Sequence, residues 1–307
     1  MARRILSSLL CAGLLAGCGG NPFLTEDDPG TDTGGGTTDI PEALRTNVND
    51  VQYDGLTLQI AMDGLDSTPT MVTFDRYAAL DVPGYQAFKV QEDALDRMFV
   101  ALAAESQDGA TRAVAVADGG QFQRYFGGGF YERDGAYDKP DIGPGPGAGQ
   151  VSYAGNYAGV TNVNGTGADL IPPAPGTDPA LLPDQPARVT GDIFMNVNFS
   201  DNQVNGTIYN RVIVDSGFTL LDVILLPTTI ATNGTFQGDV EGPTPNEAVV
   251  TGNYGGIFGG TNSSSVAGVV HLTAFDAGLE REQEHGVFVL TQCGLPGDAA
   301  ICSQVSP

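Results

Sequence analysis

The sequence has no tryptophan, two histidines and four cysteines in 307 residues. Neither a His-Glu-x-x-His zinc helix nor a Gly-x-Ser-x-Gly nucleophile elbow occurs. His271 sits in the apolar run Val269-Val270-His271-Leu272, and Glu284-His285 opens another. Both read as structural or surface histidines, so no enzyme is expected. Cations are scarce as well: 13 Lys and Arg stand against 37 Asp and Glu, a formal net charge of −24. Such a chain repels phosphate backbones, which removes nucleic acid from the partners. The acidity favours solubility or a basic partner and is silent on fold. The 43 glycines carry no triplet period, which excludes collagen. Their Gly-x-Gly runs do not lie between a parallel strand and a helix, so no phosphate cradle and no cofactor are expected.

What is present is a core-forming composition. Hydrophobic residues make up 41 % of the chain, with 14 Phe and 10 Tyr. The length suits one or two domains. Much glycine without low hydrophobicity signals many turns, the mark of an all-β chain. Arg3 and Arg4 precede an apolar stretch from Ile5 to Leu15, too short to span a membrane as a lasting helix. Residues 1–17 therefore read as a secretory signal peptide. The run Leu15-Ala16-Gly17-Cys18 resembles the bacterial lipobox, which implies cleavage before Cys18 and acylation of that residue. More than one acyl chain anchors a protein stably. Gly19 rather than Asp follows the cysteine, which by resemblance to enterobacterial lipoproteins permits the outer membrane. The membrane is thus an expected partner, through lipid on Cys18. Cys11 leaves with the signal; Cys293 and Cys302 remain in an oxidising compartment, where a disulfide between them is expected.

Residues 18–49 are rich in Gly, Thr, Asp and Pro and have no apolar period, so they read as a disordered tether. Residues 50–140 read as a β-rich domain. Leu56, Leu58, Ile60 and Met62 alternate with polar or small positions, and 71–74 and 85–90 are further short strands. Residues 97–105 and 111–117 flank Gln107-Asp108-Gly109, a hairpin signal. Leu95, Met98, Phe99 and Leu102 also fit a helix, but the turn favours strand. Gly143-Pro144-Gly145-Pro146-Gly147 breaks the pattern, and residues 150–307 form a second domain. A Pro-rich stretch at 171–186 interrupts it as a functional excursion or lid. Ile193, Met195, Val197 and Phe199 alternate with Asn196 and Asn198 before the turn at 200–203. Strands are expected near 151–161, 189–199, 204–208, 217–225, 229–239, 247–258, 265–274 and 284–291. Eight antiparallel strands can close into a barrel and so abolish sticky edges, with a β-sandwich as the alternative.

One pattern in this half is specific. Tyr153-Ala154-Gly155-Asn156-Tyr157-Ala158-Gly159 is followed by the hairpin Asn196-Val197-Asn198-Phe199 to Val204-Asn205-Gly206-Thr207-Ile208. Gly234-Thr235-Phe236-Gln237-Gly238 comes next, then Gly252-Asn253-Tyr254-Gly255-Gly256-Ile257-Phe258-Gly259-Gly260 and Val266-Ala267-Gly268-Val269-Val270. This order resembles the β-barrel domain of transferrin-binding protein B and related surface lipoproteins, including factor H-binding protein. The Ala-x-Glu-x-x-Gly-Gly turn of that family has lost its Glu here; Ser264 or Ser265 stands in its place. The resemblance implies an eight-stranded antiparallel barrel, a handle-like domain at 50–140, and a lipid-anchored outer-membrane protein that captures a protein or nutrient carrier through its loops. An envelope assembly lipoprotein and a lipocalin-like carrier of a small apolar ligand are the alternatives. No ligand-contact residue carries over.

Overall fold

The computed structural model describes residues 40–65, 69–145, 147–242, 249–273, 275 and 281–303. The signal peptide, Cys18 and most of the tether lie outside the described residues. The fold is all-β, as expected. A short helix α1 (Glu42–Arg45) leads into seven strands: β1 (Val48–Tyr53), β2 (Leu58–Met62), β3 (Val72–Arg76), β4 (Gln86–Val90), β5 (Phe99–Glu105), β6 (Thr111–Asp118) and β7 (Gly127–Arg133). They pair antiparallel in chain order as one sheet. Residues 40–49, placed in the tether by composition, are thus helix and strand. Ile40, Leu44 and Val48 anchor them by burial, three apolar residues that the polar composition around them masked.

Nine strands follow: β8 (Gln150–Asn164), β9 (Pro186–Asn198), β10 (Gln203–Ile213), β11 (Phe218–Thr219), β12 (Val223–Thr229), β13 (Thr235–Gly242), β14 (Val249–Gly259), β15 (Ser265–Thr273) and β16 (Gln283–Thr291). The order β10-β12-β13-β14-β15-β16-β8-β9, with β9 paired back onto β10, closes an eight-stranded barrel. The strand expected at 217–225 is split into β11 and β12. The strand expected at 229–239 starts late, because residues 230–234 are a turn with Gly234 at φ 80°.

The barrel interior is filled by its own side chains. Tyr153, Tyr157, Tyr254, Phe199, Phe236, Phe258 and Phe288 are all buried in it. Phe258 sits with ring centroids 5.5 Å from Tyr153 and 5.2 Å from both Phe199 and Phe236. The glycine-aromatic motif now has a physical reason. Gly238 pairs with Tyr254, Gly256 with Phe236 and Gly268 with Phe288 across neighbouring strands. Each ring lies over the bare Cα of its glycine. A Cβ on Gly238 would sit 2.6 Å from the Tyr254 ring, and one on Gly256 2.7 Å from the Phe236 ring. Tyr157 covers Gly286 in the same manner. This cross-strand cover of glycine by aromatic rings pins the register and packs the lumen.

The seven-stranded sheet has two apolar faces. Phe99, Ala101, Ala103, Val114 and Val116 point into its own core with Leu58, Ile60 and Phe88. Val100, Leu102, Ala113, Ala115 and Ala117 point the other way, against Ala158, Val160, Ile257, Ala267, Val269 and Val287 on the outer barrel wall. Strands buried on both faces read as continuous apolar runs, which is why helix competed with strand at 95–102. The run Gly127-Gly128-Gly129 lets β7 lie close on the barrel; a Cβ on Gly129 would be 2.7 Å from Val269.

Candidate functional site

Strand polarity sorts the barrel connections by length. At one end the links are short: residues 199–202, 230–234 and 260–264. At the other end are residues 165–185, the 214–222 hairpin, and the β13–β14 and β15–β16 links. Long loops on a rigid scaffold are where binding residues concentrate. The hairpin joining β6 to β7, residues 119–126, comes to this same end and meets them.

A cleft of about 980 Å³ opens there. The 119–126 hairpin forms one wall, residues 179–184 a second, and Asn162, Arg281 and Gln283 a third. Gln121 and Arg124 exchange two backbone hydrogen bonds of 3.0 Å around a two-residue tip, Phe122-Gln123. Both tip residues are left-handed, with φ 54° and 59°. This turn shape calls for Asn-Gly. A bulky pair there costs about 1–2 kcal/mol per residue. Arg281 is left-handed too, at φ 62°. Apart from asparagines, five described non-glycine residues have such a φ; these three line the cleft, and Thr46 and Ser263 are the others. Strain of this kind gathers at functional sites when surrounding structure holds it in place. Phe122 is 61 % exposed at the tip.

What holds the hairpin is a buried ion pair beneath it. Arg97 pairs with Asp118 and donates to the carbonyls of Arg124 (3.0 Å) and Gln121 (2.8 Å). The other Asp118 oxygen accepts from the Phe126 amide at 2.8 Å, and the Arg97 guanidinium lies 4.9 Å from the Phe126 ring centroid. Burial raises the Asp118 carboxyl, while that amide and Arg97 pull it back down. The Pro-rich stretch is strapped onto this assembly. The Asp184 backbone amide donates to the Gly120 carbonyl at 3.0 Å, and Nε2 of the Gln121 side chain donates to the Leu181 carbonyl at 2.8 Å. Asp169 receives the Tyr77 hydroxyl, and its carbonyl receives Lys89, so the strap also grips the seven-stranded sheet.

Two further polar groups lie nearby. Inside the barrel, fully buried Arg211 donates to Glu284 at 2.6 Å, and Tyr157 donates to the other Glu284 oxygen at 2.6 Å. Outside it, His285 and His271 are cross-strand partners, stacked with centroids 4.5 Å apart and planes at 7°. The Glu284-His285 pair, whose position suggested the surface, is buried, and burial lowers the pKa of both histidines. Among the described residues no group of three or more His, Cys, Asp or Glu has the arrangement of a metal site. At the short-turn end, Cys293 and Cys302 are joined by a disulfide with Cα atoms 5.3 Å apart. Cys18 lies outside the described residues. Of its walls, sequence reasoning singles out only the Pro-rich stretch 171–186 as a functional excursion or lid; the others come from distant segments that sequence does not join.

No known protein-family model matches the sequence, and no curated protein does. Solved structures do. Transferrin-binding protein B from Haemophilus parasuis aligns over 80 % of this chain and 42 % of its own, with 12 % identity and a TM-score of 0.41. The isotype 1 transferrin-binding protein B of serogroup B Neisseria meningitidis aligns over 76 % of this chain and 40 % of its own, with 10 % identity and a TM-score of 0.37. A structure described as a surface lipoprotein aligns over 80 % of this chain and 96 % of its own, with 14 % identity and a TM-score of 0.35. The chain thus spans half or less of the length of the transferrin-binding proteins it matches, and its structural neighbours include transferrin-binding protein B and a surface lipoprotein.

Proposed function

We propose that this chain is a lipid-anchored, non-enzymatic binding protein of the bacterial outer membrane, which captures a protein or nutrient-carrier ligand at its long-loop end. The convergence of Phe122, Gln123 and Arg281, all left-handed, around one cleft carries the reading. An exposed aromatic on a rigid perch binds with little ordering cost, because its backbone is already fixed. A protein ligand fits this surface better than a small apolar one, since the barrel lumen is occupied by its own aromatic rings. The lipobox at Cys18 and the following tether support attachment to the membrane, and the Cys293–Cys302 bridge suits the oxidising space outside it.

The test is capture by purified protein from growth medium or host fluid, comparing the native chain with Phe122→Asp. A central aromatic anchor is worth about 2 kcal/mol or more, close to a thirtyfold change in affinity. The reading expects a captured partner that is lost with Phe122→Asp while the melting temperature holds. A protein that captures nothing, or captures equally well without Phe122, overturns it.

A further inference from the structure

Beneath the cleft, three rings form a column. Tyr125, which lines the cleft, stacks on His285 with centroids 5.9 Å apart and planes at 22°. His285 stacks in turn on His271. His285 is only 1 % exposed, and neither of its ring nitrogens has a hydrogen-bond partner; the Tyr125 hydroxyl has none either. Buried polar atoms without partners are rare enough to require an explanation. The edge of His285 is closed by Gly127 at the start of β7, where any Cβ would overlap the ring. His271 Nδ1 lies 3.0 Å from the Ala43 carbonyl of α1, and its Nε2 lies 3.4 Å from Oε1 of Gln283, another cleft residue. The column therefore joins the barrel wall, the hairpin and α1 at one point.

The charged groups around it offer an extra proton no counter-charge. On the barrel side, Glu284 points inward and is held by Arg211 and Tyr157. On the hairpin side, Asp118 is held by Arg97, and Arg124 is a cation. On α1, the contact to His271 is a carbonyl, with Glu42 and Arg45 on the same short helix. On β14, the cross-strand neighbour of His271 is Asn253, whose amide is spent on Asp239 at 2.9 Å. On β7, the neighbour is Gly127, bare of any side chain.

We propose that the Tyr125–His285–His271 column is an acid-sensitive latch: protonation of its stacked imidazoles parts the 119–126 hairpin from the barrel wall. Two imidazolium rings 4.5 Å apart in a dry joint repel each other, and only opening brings water to them. The direction follows from proton counting. The closed joint holds both histidines neutral, whereas an opened one lets them charge near their ordinary value of about 6.5. Opening therefore takes up protons, and the closed form loses ground as pH falls below that value. The consequence for ligand release rests on the docking function proposed above; the latch itself does not.

Hydrogen exchange of the hairpin amides tests it without any ligand, on the full chain at pH 7.5 and pH 5.0. The β9–β10 hairpin serves as the internal reference, after correction for the intrinsic pH dependence of exchange. Each pH unit below the free histidine value can shift opening by about tenfold per proton. The latch expects hairpin 119–126 to open at least about tenfold more readily at pH 5.0 while the reference hairpin does not change. His285→Phe, which keeps the stack without a titrating group, abolishes the acceleration. His271→Gln, at the more exposed end, reduces it and provides a second reading if the first variant fails to fold. Equal behaviour of the two hairpins, or acceleration that persists in both variants, overturns the proposal. Either result is independent of whether Phe122 is needed for capture.

Discussion

Replacing Arg211 with Met tests the polar knot inside the barrel. Arg211 and Glu284 are both fully buried, and one Arg211 nitrogen also donates to the Leu221 carbonyl at 2.7 Å. The substitution keeps most of the volume but removes the guanidinium from the Glu284 carboxylate, which keeps the hydrogen bond from the Tyr157 hydroxyl. Removing one partner of a buried pair costs about 3–5 kcal/mol, because the other charge stays desolvated. For a domain of this size each kcal/mol moves the melting point by about 2–4 °C, so the loss is on the order of 10 °C. Replacing both members, with Arg211→Met and Glu284→Leu together, removes the stranded charge and recovers most of it. A buried carboxylate without its cation takes up a proton, so the single-variant deficit shrinks as pH falls. Urea unfolding followed by far-ultraviolet circular dichroism at pH 8 and pH 5 measures all three proteins. A single variant within about 1 kcal/mol of the native chain, or a double variant no better than the single, refutes the reasoning.

Gly129→Val forces a side chain against Val269 and is expected to cost about 1–3 kcal/mol in the same unfolding assay, whereas Gly143→Ala, with nothing near its Cα, stays within about 0.5 kcal/mol. Cys293→Ser is expected to remove about 2–3 kcal/mol, and reductant is then expected to lower the native melting point but not the variant's. Cys18→Ser is expected to abolish labelling by radioactive palmitate and to move the protein from the membrane fraction to the soluble one. Intact cells treated with external protease are expected to lose the protein, and a protected protein would place the long-loop end in the periplasm.

The barrel strands away from the seven-stranded sheet were legible because they have one wet face and one dry one, as β10 does. At the end of β9, Met195, Val197 and Phe199 are buried, with exposed Asn196 and half-buried Asn198 between them. β5 and β6 were less clear for the opposite reason, since both their faces are covered and alternation vanishes. β7 begins with three glycines, which have low strand propensity; the barrel wall against it, not its own preference, makes it a strand. Apart from the Pro-rich stretch, the cleft left no local trace. Phe122-Gln123 carries none of the residues that mark a left-handed turn, and its conformation is imposed by Arg97 and Asp118 from below. His271 and His285 became partners only through the register of β15 on β16, which neither strand encodes alone.

The clamp under the hairpin has a consequence for how this surface can change. Arg97 grips the carbonyls of Gln121 and Arg124, and Asp118 grips the amide of Phe126. All three are main-chain groups, which every amino acid except proline supplies in full. The clamp itself is therefore indifferent to which side chains the tip displays, and the left-handed φ of residues 122 and 123 is what limits the choice. Asparagine or glycine can stand at either position while the loop keeps its outline. Evolution, or a designer, could rewrite recognition at this end of the molecule without repaying the cost of folding it.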